Sequence, residues 1–290
     1  MPPFRGADLH CHSTFSDGLD APARLVGRAL EAGLSVLALS DHDALHGLPE
    51  FEAAAKGTGL VTVAASELST RCDDDDVHVL GLFLDPEEPS LKAKLEQFRR
   101  DRDTRGEAMV ERLAALGMPL DLATIRAVVG EGAFGRPHIA RAMVAKGYVR
   151  TFEEAFEKWL AHGKPGYVPK PKWTLEEAIA AIRRAGGLSV VAHPIWYKDA
   201  AGVVALGAAA GLDGLEVFHV DQTGKESEFG SLAERYGLLK SAGSDYHGPP
   251  QGGKRVGSCR LDSEGWERMV AAAHARRSES GRPPLELAPR

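Results

Sequence analysis

The sequence predicts an α/β fold: a largely parallel core of about seven strands, interrupted by a helical segment. Three observations carry this. Short apolar runs recur along the chain, and most are followed by apolar residues at helical spacing. Between residues 97 and 169 these runs stop and only helical patterns occur. Histidines and carboxylates gather where the apolar runs end, which is where a parallel α/β barrel keeps its reactive groups.

The first run is ADLH, residues 7–10. A helix is expected next, with Leu25, Ala29 and Ala32 on one face and a stop at Gly33. Residues 35–40 form a second, buried strand, followed by a helix closing at Gly57. Residues 60–66 and 77–83 are the third and fourth strands. Only ten residues separate Glu67 from His78, fewer than a parallel crossover with its helix needs, so one antiparallel pair is expected here. That reversal places His78, which opens its strand, at the end where Glu67 leaves its own. The tract Asp73–Asp76 then reads as a solvated turn. Helical patterns cover 99–117, 121–130, 136–147 and 151–163, each closing at a glycine. The last three strands are 188–193, 214–220 and 238–244. The expected organisation is a barrel of 1–96 and 170–290 carrying a helical insertion, or cap, of 97–169.

Composition narrows the function. With 43% hydrophobic and 26% charged residues, the 290-residue chain can bury a full core. No apolar run is long enough to span a membrane, and residues 1–10 lack the basic and apolar regions of a signal peptide, so a cytoplasmic protein is expected. A net charge of −6 disfavours a broad nucleic-acid-binding surface, though not a phosphorylated substrate held in one pocket. Three scattered cysteines, without a CxxC pair, argue against a disulfide framework or a thiolate zinc site.

The opening stretch ADLHCHSTFSDGLD raises the metal question. In an extended segment Asp8, His10 and His12 share a face, and Cys11 points the other way into the core. Paired imidazoles suit a first-row divalent ion, and Asp8 is placed to orient a ring N–H. Asp41, His42 and Asp43 follow the second run, Glu67 the third, His193 ends the fifth, and Asp245 and His247 follow the seventh. Singly, each has a structural explanation: a hydrogen-bonded histidine, a helix cap, an Asp-Gly turn at Asp17. Together they indicate a metal site. Asp20 is expected to cap the first helix, and Ser13 and Ser40 to be hydrogen-bonding residues. His219 ends the sixth run, with substrate contact and packing both open.

The ordered motifs DLHCHS, SDHD, SEL, VHVLGLF, AHP and SDYH resemble the polymerase and histidinol phosphatase (PHP) family of the amidohydrolase superfamily. The likeness extends over nearly the whole chain. GRPHIARAMVAKGYV and GKPGYVPK resemble the subgroup of 3′,5′-nucleotide bisphosphate phosphatases and 5′–3′ exoribonucleases. The resemblance implies a distorted seven-stranded (β/α)7 barrel with an inserted small helical domain. It implies two or three divalent ions per chain, Mn²⁺ foremost and Fe²⁺ or Zn²⁺ as alternatives. One would be held by His10, His12, Glu67 and Asp245, a second by Glu67, His78 and His193, and a third by Asp17, His42 and His247. Many members have His where this chain has Asp17, and Gly where it has Ala65.

The resemblance further implies a metal-dependent phosphoesterase. Clustered cations neutralise a phosphate ester, and a metal-bound hydroxide held by Glu67, His12 and His193 is the expected nucleophile. Arg102, Arg105, Arg136 and His138 are the expected substrate contacts, because arginines and helix N-termini favour phosphate. Arg99 and Arg100 are equally compatible with a solvated, salt-bridged face; Lys164 and Tyr167 are further candidates. The expected substrate is a nucleotide or short oligonucleotide: the 3′-phosphate of a 3′,5′-bisphosphate, the 5′-terminal mononucleotides of short RNA, or both. The alternatives are a histidinol-phosphate or other small-monoester phosphatase and, in another class, a non-catalytic metal- or nucleotide-binding module.

Overall fold

The computed structural model describes residues 3–72, 75–129, 134–169, 172–249 and 254–287. Its strands are β1 (Ala7–Asp8), β2 (Val36–Leu39), β3 (Val61–Cys72), β4 (Asp75–Leu82), β5 (Trp173–Thr174), β6 (Leu188–Val191), β7 (Gly214–His219) and β8 (Leu239–Gly243). Seven follow one path, β1-β2-β3-β4-β6-β7-β8, and the two-residue β5 pairs with β3 off that path. The path curls round until its edges meet. The Leu9 N–H donates to the Ala242 carbonyl at 3.0 Å, and the Asp245 N–H to the His10 carbonyl at 2.8 Å. This is the seven-stranded barrel expected from the sequence.

Gly243 permits the closure. A Cβ there would lie 2.2 Å from the His10 Cβ, so any larger residue would push β8 off the first strand. Gly18 acts similarly beside Asp17: a Cβ would lie 2.4 Å from the His12 carbonyl oxygen.

Strands β3 and β4 are antiparallel, as the short link between them requires. Reversing β4 has a second consequence that the sequence reading did not include: it also runs antiparallel to β6, its other neighbour. The remaining path pairings are parallel. Of the acidic tract, Asp73 and Asp74 lie outside the described residues, whereas Asp75 and Asp76 belong to β4. Asp76 pairs with Lys172, so this part is a strand end tied to the cleft rather than a free turn.

The helices are α1 (Pro22–Glu31), α2 (Leu48–Ala55), α3 (Pro89–Ala115), α4 (Leu122–Val129), α5 (Arg136–Ala145), α6 (Phe152–Ala155), α7 (Leu175–Arg184), α8 (Ala200–Ala209), α9 (Glu226–Arg235) and α10 (Ser263–Glu279). A π-helical turn, Phe156–Leu160, continues α6. Helix α3 is 27 residues long and runs through position 97 unbroken. Its first half packs Leu91, Leu95 and Phe98 into the barrel core, and its second half packs Met109, Val110 and Leu113 against α4, α5 and α6. Asp20 does not cap α1: Ala21 holds the cap position, and the Asp20 carboxylate instead accepts from Arg28 Nε (2.5 Å) and the Tyr246 hydroxyl (2.7 Å). No helix among the described residues is long and apolar enough to cross a membrane.

Candidate metal centre and substrate cleft

The strand ends converge on Glu67. His10 Nε2 and His12 Nε2 are 3.1 Å apart and lie 3.3 and 3.2 Å from Glu67 Oε2. Asp245 Oδ1 completes this group at 3.4 and 3.3 Å from the same two nitrogens. The other Glu67 oxygen, Oε1, meets His78 Nδ1 at 2.8 Å and His193 Nε2 at 3.0 Å. Asp17 Oδ1 is 3.3 Å from His247 Nε2, and Asp17 Oδ2 is 3.8 Å from His42 Nε2. Asp17 therefore turns into the cluster rather than to solvent. His42 links the groups, since its Nδ1 is 3.0 Å from Glu67 Oε2. All nine sequence-derived ligand candidates thus meet in one place.

These separations suit cations. Metal–donor bonds of about 2.0–2.2 Å put neighbouring donors roughly 3.0–3.5 Å apart in tetrahedral or octahedral sites. Two imidazole nitrogens facing each other at 3.1 Å need a proton or a metal between them. Among the described residues, buried Asp17 Oδ1 and Glu67 Oε2 have no hydrogen-bond partner. Nitrogen and carboxylate donors without thiolates accept first-row divalent ions. The residues present fit such ions.

The electrostatics agree. Burial alone would raise the carboxyls, but the surrounding histidines hold Glu67, Asp17 and Asp245 well below the usual carboxylate range. Burial pushes His42 down to about 3, leaving a neutral imidazole with a free lone pair. Burial also opposes charge on His12, but the Asp245 and Glu67 carboxylates beside its Nε2 raise it to about 10. At neutral pH, His12 thus holds a proton where a cation would bind. Loading Mn²⁺ at pH 7 is expected to release at least about one proton per chain. Titration calorimetry in buffers of different ionisation enthalpy measures this; a buffer-independent heat would contradict it.

Hydrogen bonds fix the candidate ligands. Glu216 Oε1 is 3.0 Å from His10 Nδ1, and Glu216 Oε2 accepts the His193 N–H at 2.8 Å. The orienting role expected of Asp8 therefore belongs to Glu216. Asp8 instead accepts the backbone N–H groups of Ser244 (2.9 Å), Gly257 (2.7 Å) and His10 (3.3 Å), fastening β8 to the first strand. Cys11 is buried, its Sγ donating to the Ala38 carbonyl. Ser13 donates to Asp41, and Ser40 to the Cys11 carbonyl. His219 is buried with Nε2 3.5 Å from Asp245 Oδ2, so it faces the cluster. His193 (φ 29°), Asp245 (φ 49°) and Asp43 (φ 48°) occupy the left-handed region. Such strain costs about 1–3 kcal/mol per residue and is concentrated here at the site.

A cleft of about 450 Å³ opens above the cluster. Arg102, Arg105 and Arg136 line it, as do Arg141, Lys172 and Lys254, which the sequence reading did not single out. Arg102 pairs with Asp43, itself bound to Ser69 N–H and Oγ at 2.8 Å each. Lys254 Nζ bridges Asp245 Oδ2 (2.7 Å) and Asp221 Oδ2 (2.8 Å). Arg136 has no carboxylate partner among the described residues and stands over the Phe156 ring at 5.6 Å. Burial pushes Arg105 down to about 10, and nearby Arg136 adds repulsion. His138 departs from its expected role. It does not line the cleft, and its Nδ1 accepts the Gly135 N–H at 3.2 Å, capping α5. Arg99 and Arg100 pair with Glu96 on a solvated face of α3.

Glu216 had a signal in the sequence: a lone carboxylate within the apolar run GLEVFHV, which burial tolerates only with partners. Lys254 and Trp196, which also lines the cleft, had none, because their place there depends on loop geometry.

A barrel with buried imidazoles and carboxylates at its strand ends defines a metal-dependent hydrolase. Residues 8–99 match the PHP domain model. Over 265 residues the chain is 37% identical to a 3′,5′-nucleoside bisphosphate phosphatase of Chromobacterium violaceum, covering 86% of this chain and 90% of that one. It is 36% identical over 248 residues to a 5′–3′ exoribonuclease of Haemophilus influenzae, covering 83% and 90%. A metal-dependent phosphoesterase from Bifidobacterium adolescentis superposes with a TM-score of 0.82 at 33% identity, covering 93% and 97%. An amidohydrolase from Chromobacterium violaceum, with bound sulfate and no metal, superposes with a TM-score of 0.84 at 34% identity, covering 92% and 96%. The chain belongs to the PHP family of metal-dependent phosphoesterases.

Proposed function

We propose that the chain hydrolyses phosphate esters of nucleotides: the 3′-phosphate of 3′,5′-bisphosphates, the 5′-terminal mononucleotides of short RNA, or both. One observation carries this reading beyond the family. Arg136, which has no carboxylate partner among the described residues, and its neighbour Arg105 share a cleft with the metal-binding cluster. A substrate with two phosphates needs one anion position at the metals and another at such cations. The names of the relatives support it.

His10, His12, Glu67 and Asp245 would hold one ion, Glu67 with His78 and His193 a second, and Asp17, His42 and His247 a third. Mn²⁺ is the proposed metal. When bound, such ions neutralise phosphate charge and supply a nucleophile by lowering the pKa of water. Glu67, with His12 and His193, fixes the face from which attack occurs. Arg105 and Arg136 hold the second phosphate, and Lys254 keeps Asp245 Oδ2 occupied, leaving Oδ1 aimed at His10 and His12. The 97–169 insertion is proposed as the cap of the barrel formed by 1–96 and 170–290, since it supplies the cleft's arginines. A cytoplasmic setting is part of the proposal and suits the three free cysteines.

Phosphate release by the Mn²⁺-loaded protein is the test, with adenosine 3′,5′-bisphosphate, 5′-phosphorylated short RNA and histidinol phosphate compared. Turnover of the nucleotide substrates is expected; preference for histidinol phosphate would replace the substrate assignment. Inactivity with every metal would sink the reading. Arg136→Ala is expected to raise KM for the bisphosphate about 10- to 100-fold, the worth of a charged hydrogen bond. An unchanged KM would remove Arg136 from the second phosphate position.

A further inference from the structure

We propose that Trp196 is a stacking platform for the base of the substrate, an inference that rests on the nucleotide reading above. Trp196 is 65% exposed, the most exposed of the large hydrophobic side chains described, and it lines the same cleft as His193, Asp245 and Lys254. Leaving an indole in water forfeits the burial that usually makes tryptophan favourable in a fold. Among the described residues no ring stacks on it and no cation covers its face. The other aromatic rings of the cleft are already engaged: Phe156 lies under Arg136 and Phe152 under Arg141.

Its attachment is rigid. A single 3₁₀ turn, Pro194–Trp196, starts directly after His193, and the Trp196 N–H donates to the His193 carbonyl at 3.1 Å. Three residues of 3₁₀ helix rise about 6 Å, so the indole stands one short step from the metal cluster. Tyr197 locks the far side of the turn. Its hydroxyl donates to the Ala192 carbonyl at 2.8 Å and accepts the His78 N–H at 3.0 Å. The platform is thus tied to two ligand positions, His78 and His193. A flat, uncovered indole on an anchored turn beside a phosphate-binding centre suits the flat base of a nucleotide. Stacking does not read hydrogen-bonding edges, so weak discrimination among bases is expected.

The experiment compares Trp196→Ala and Trp196→Phe with the wild type, all Mn²⁺-loaded. The substrates are adenosine 3′,5′-bisphosphate, a 5′-phosphorylated short RNA, and 1-deoxyribose 3,5-bisphosphate, which lacks a base. Trp196→Ala is expected to raise KM for a base-bearing substrate about 5- to 100-fold, from the usual worth of base–aromatic stacking. The abasic substrate should be unaffected, kcat nearly unchanged, and Trp196→Phe should restore most of the affinity. A rise confined to the bisphosphate assigns the platform to free nucleotides; a rise confined to RNA assigns it to the terminal base. An equal rise on the abasic compound, or none on either base-bearing substrate, overturns the proposal. Indole fluorescence decides independently of turnover. Adenosine 5′-monophosphate should quench the wild type and quench Trp196→Phe less; equal quenching counts against stacking. If no phosphate ester is hydrolysed, the nucleotide-hydrolase reading fails, and the quenching still decides whether Trp196 receives a base.

Discussion

Glu67→Gln is expected to lower kcat/KM on adenosine 3′,5′-bisphosphate by at least about a thousandfold, the scale of several kcal/mol of metal-derived charge stabilisation. Glu67 Oε1 faces His78 and His193, and Oε2 faces His10, His12 and His42. Gln keeps the shape but removes the charge and turns one oxygen into an NH₂ donor. That donor points at imidazole nitrogens that must present lone pairs to a cation. Metal bound after dialysis should fall with activity, while the circular dichroism of the barrel stays close to wild type. Elemental analysis beside kinetics checks this. Full metal content with activity within tenfold of wild type would show that Glu67 does not bridge the site.

Much of this arrangement was legible because strand polarity is a strong constraint. Once the runs alternate with helices, their C-terminal ends share one rim, and His10, His12, Glu67, His193 and Asp245 must approach one another. The short link before His78 even locates the exception. What stayed hidden depends on side-chain direction. Asp8 lies on the correct face of its strand, but strand periodicity does not say whether a carboxylate meets a ring or the backbone of a neighbouring segment. Here the crossing chain at Ser244 and Gly257 reaches it first. His138 failed similarly: at the third position of α5 its ring folds back onto Gly135, a local bond that competes with any ligand.

Helix α3 links the proposed insertion to the site. The helix is rooted in the barrel core through Leu91, Leu95 and Phe98. Arg102, one turn beyond Phe98, pairs with Asp43, the residue next to His42. The guanidinium expected to contact substrate is thus a strut between α3 and the loop that carries His42. Breaking a buried pair from one side is costly because it strands the other charge. Arg102 is therefore expected to tolerate substitution less well than Arg136, which has no carboxylate partner among the described residues to strand.

The same reasoning gives the largest expected stability effect, at a residue outside the predicted ligand set. Glu216→Ala leaves the His10 ring N–H and the His193 N–H without an acceptor, both buried beneath the cleft. Stranding these groups is expected to cost about 3 kcal/mol in urea unfolding of the metal-free protein. The loss should extend to function. His10 would no longer be held in the tautomer that presents Nε2 to His12, so Mn²⁺ affinity should fall about 10- to 100-fold. Glu216→Gln keeps one acceptor and should fall between. Because the carboxylate serves His10 and His193 at once, one change loosens two of the proposed metal positions through their shared support. A destabilisation with unchanged Mn²⁺ affinity would reduce Glu216 to a core residue. Weakened affinity in Glu216→Gln, with its fold intact, would establish that it orients the ligands.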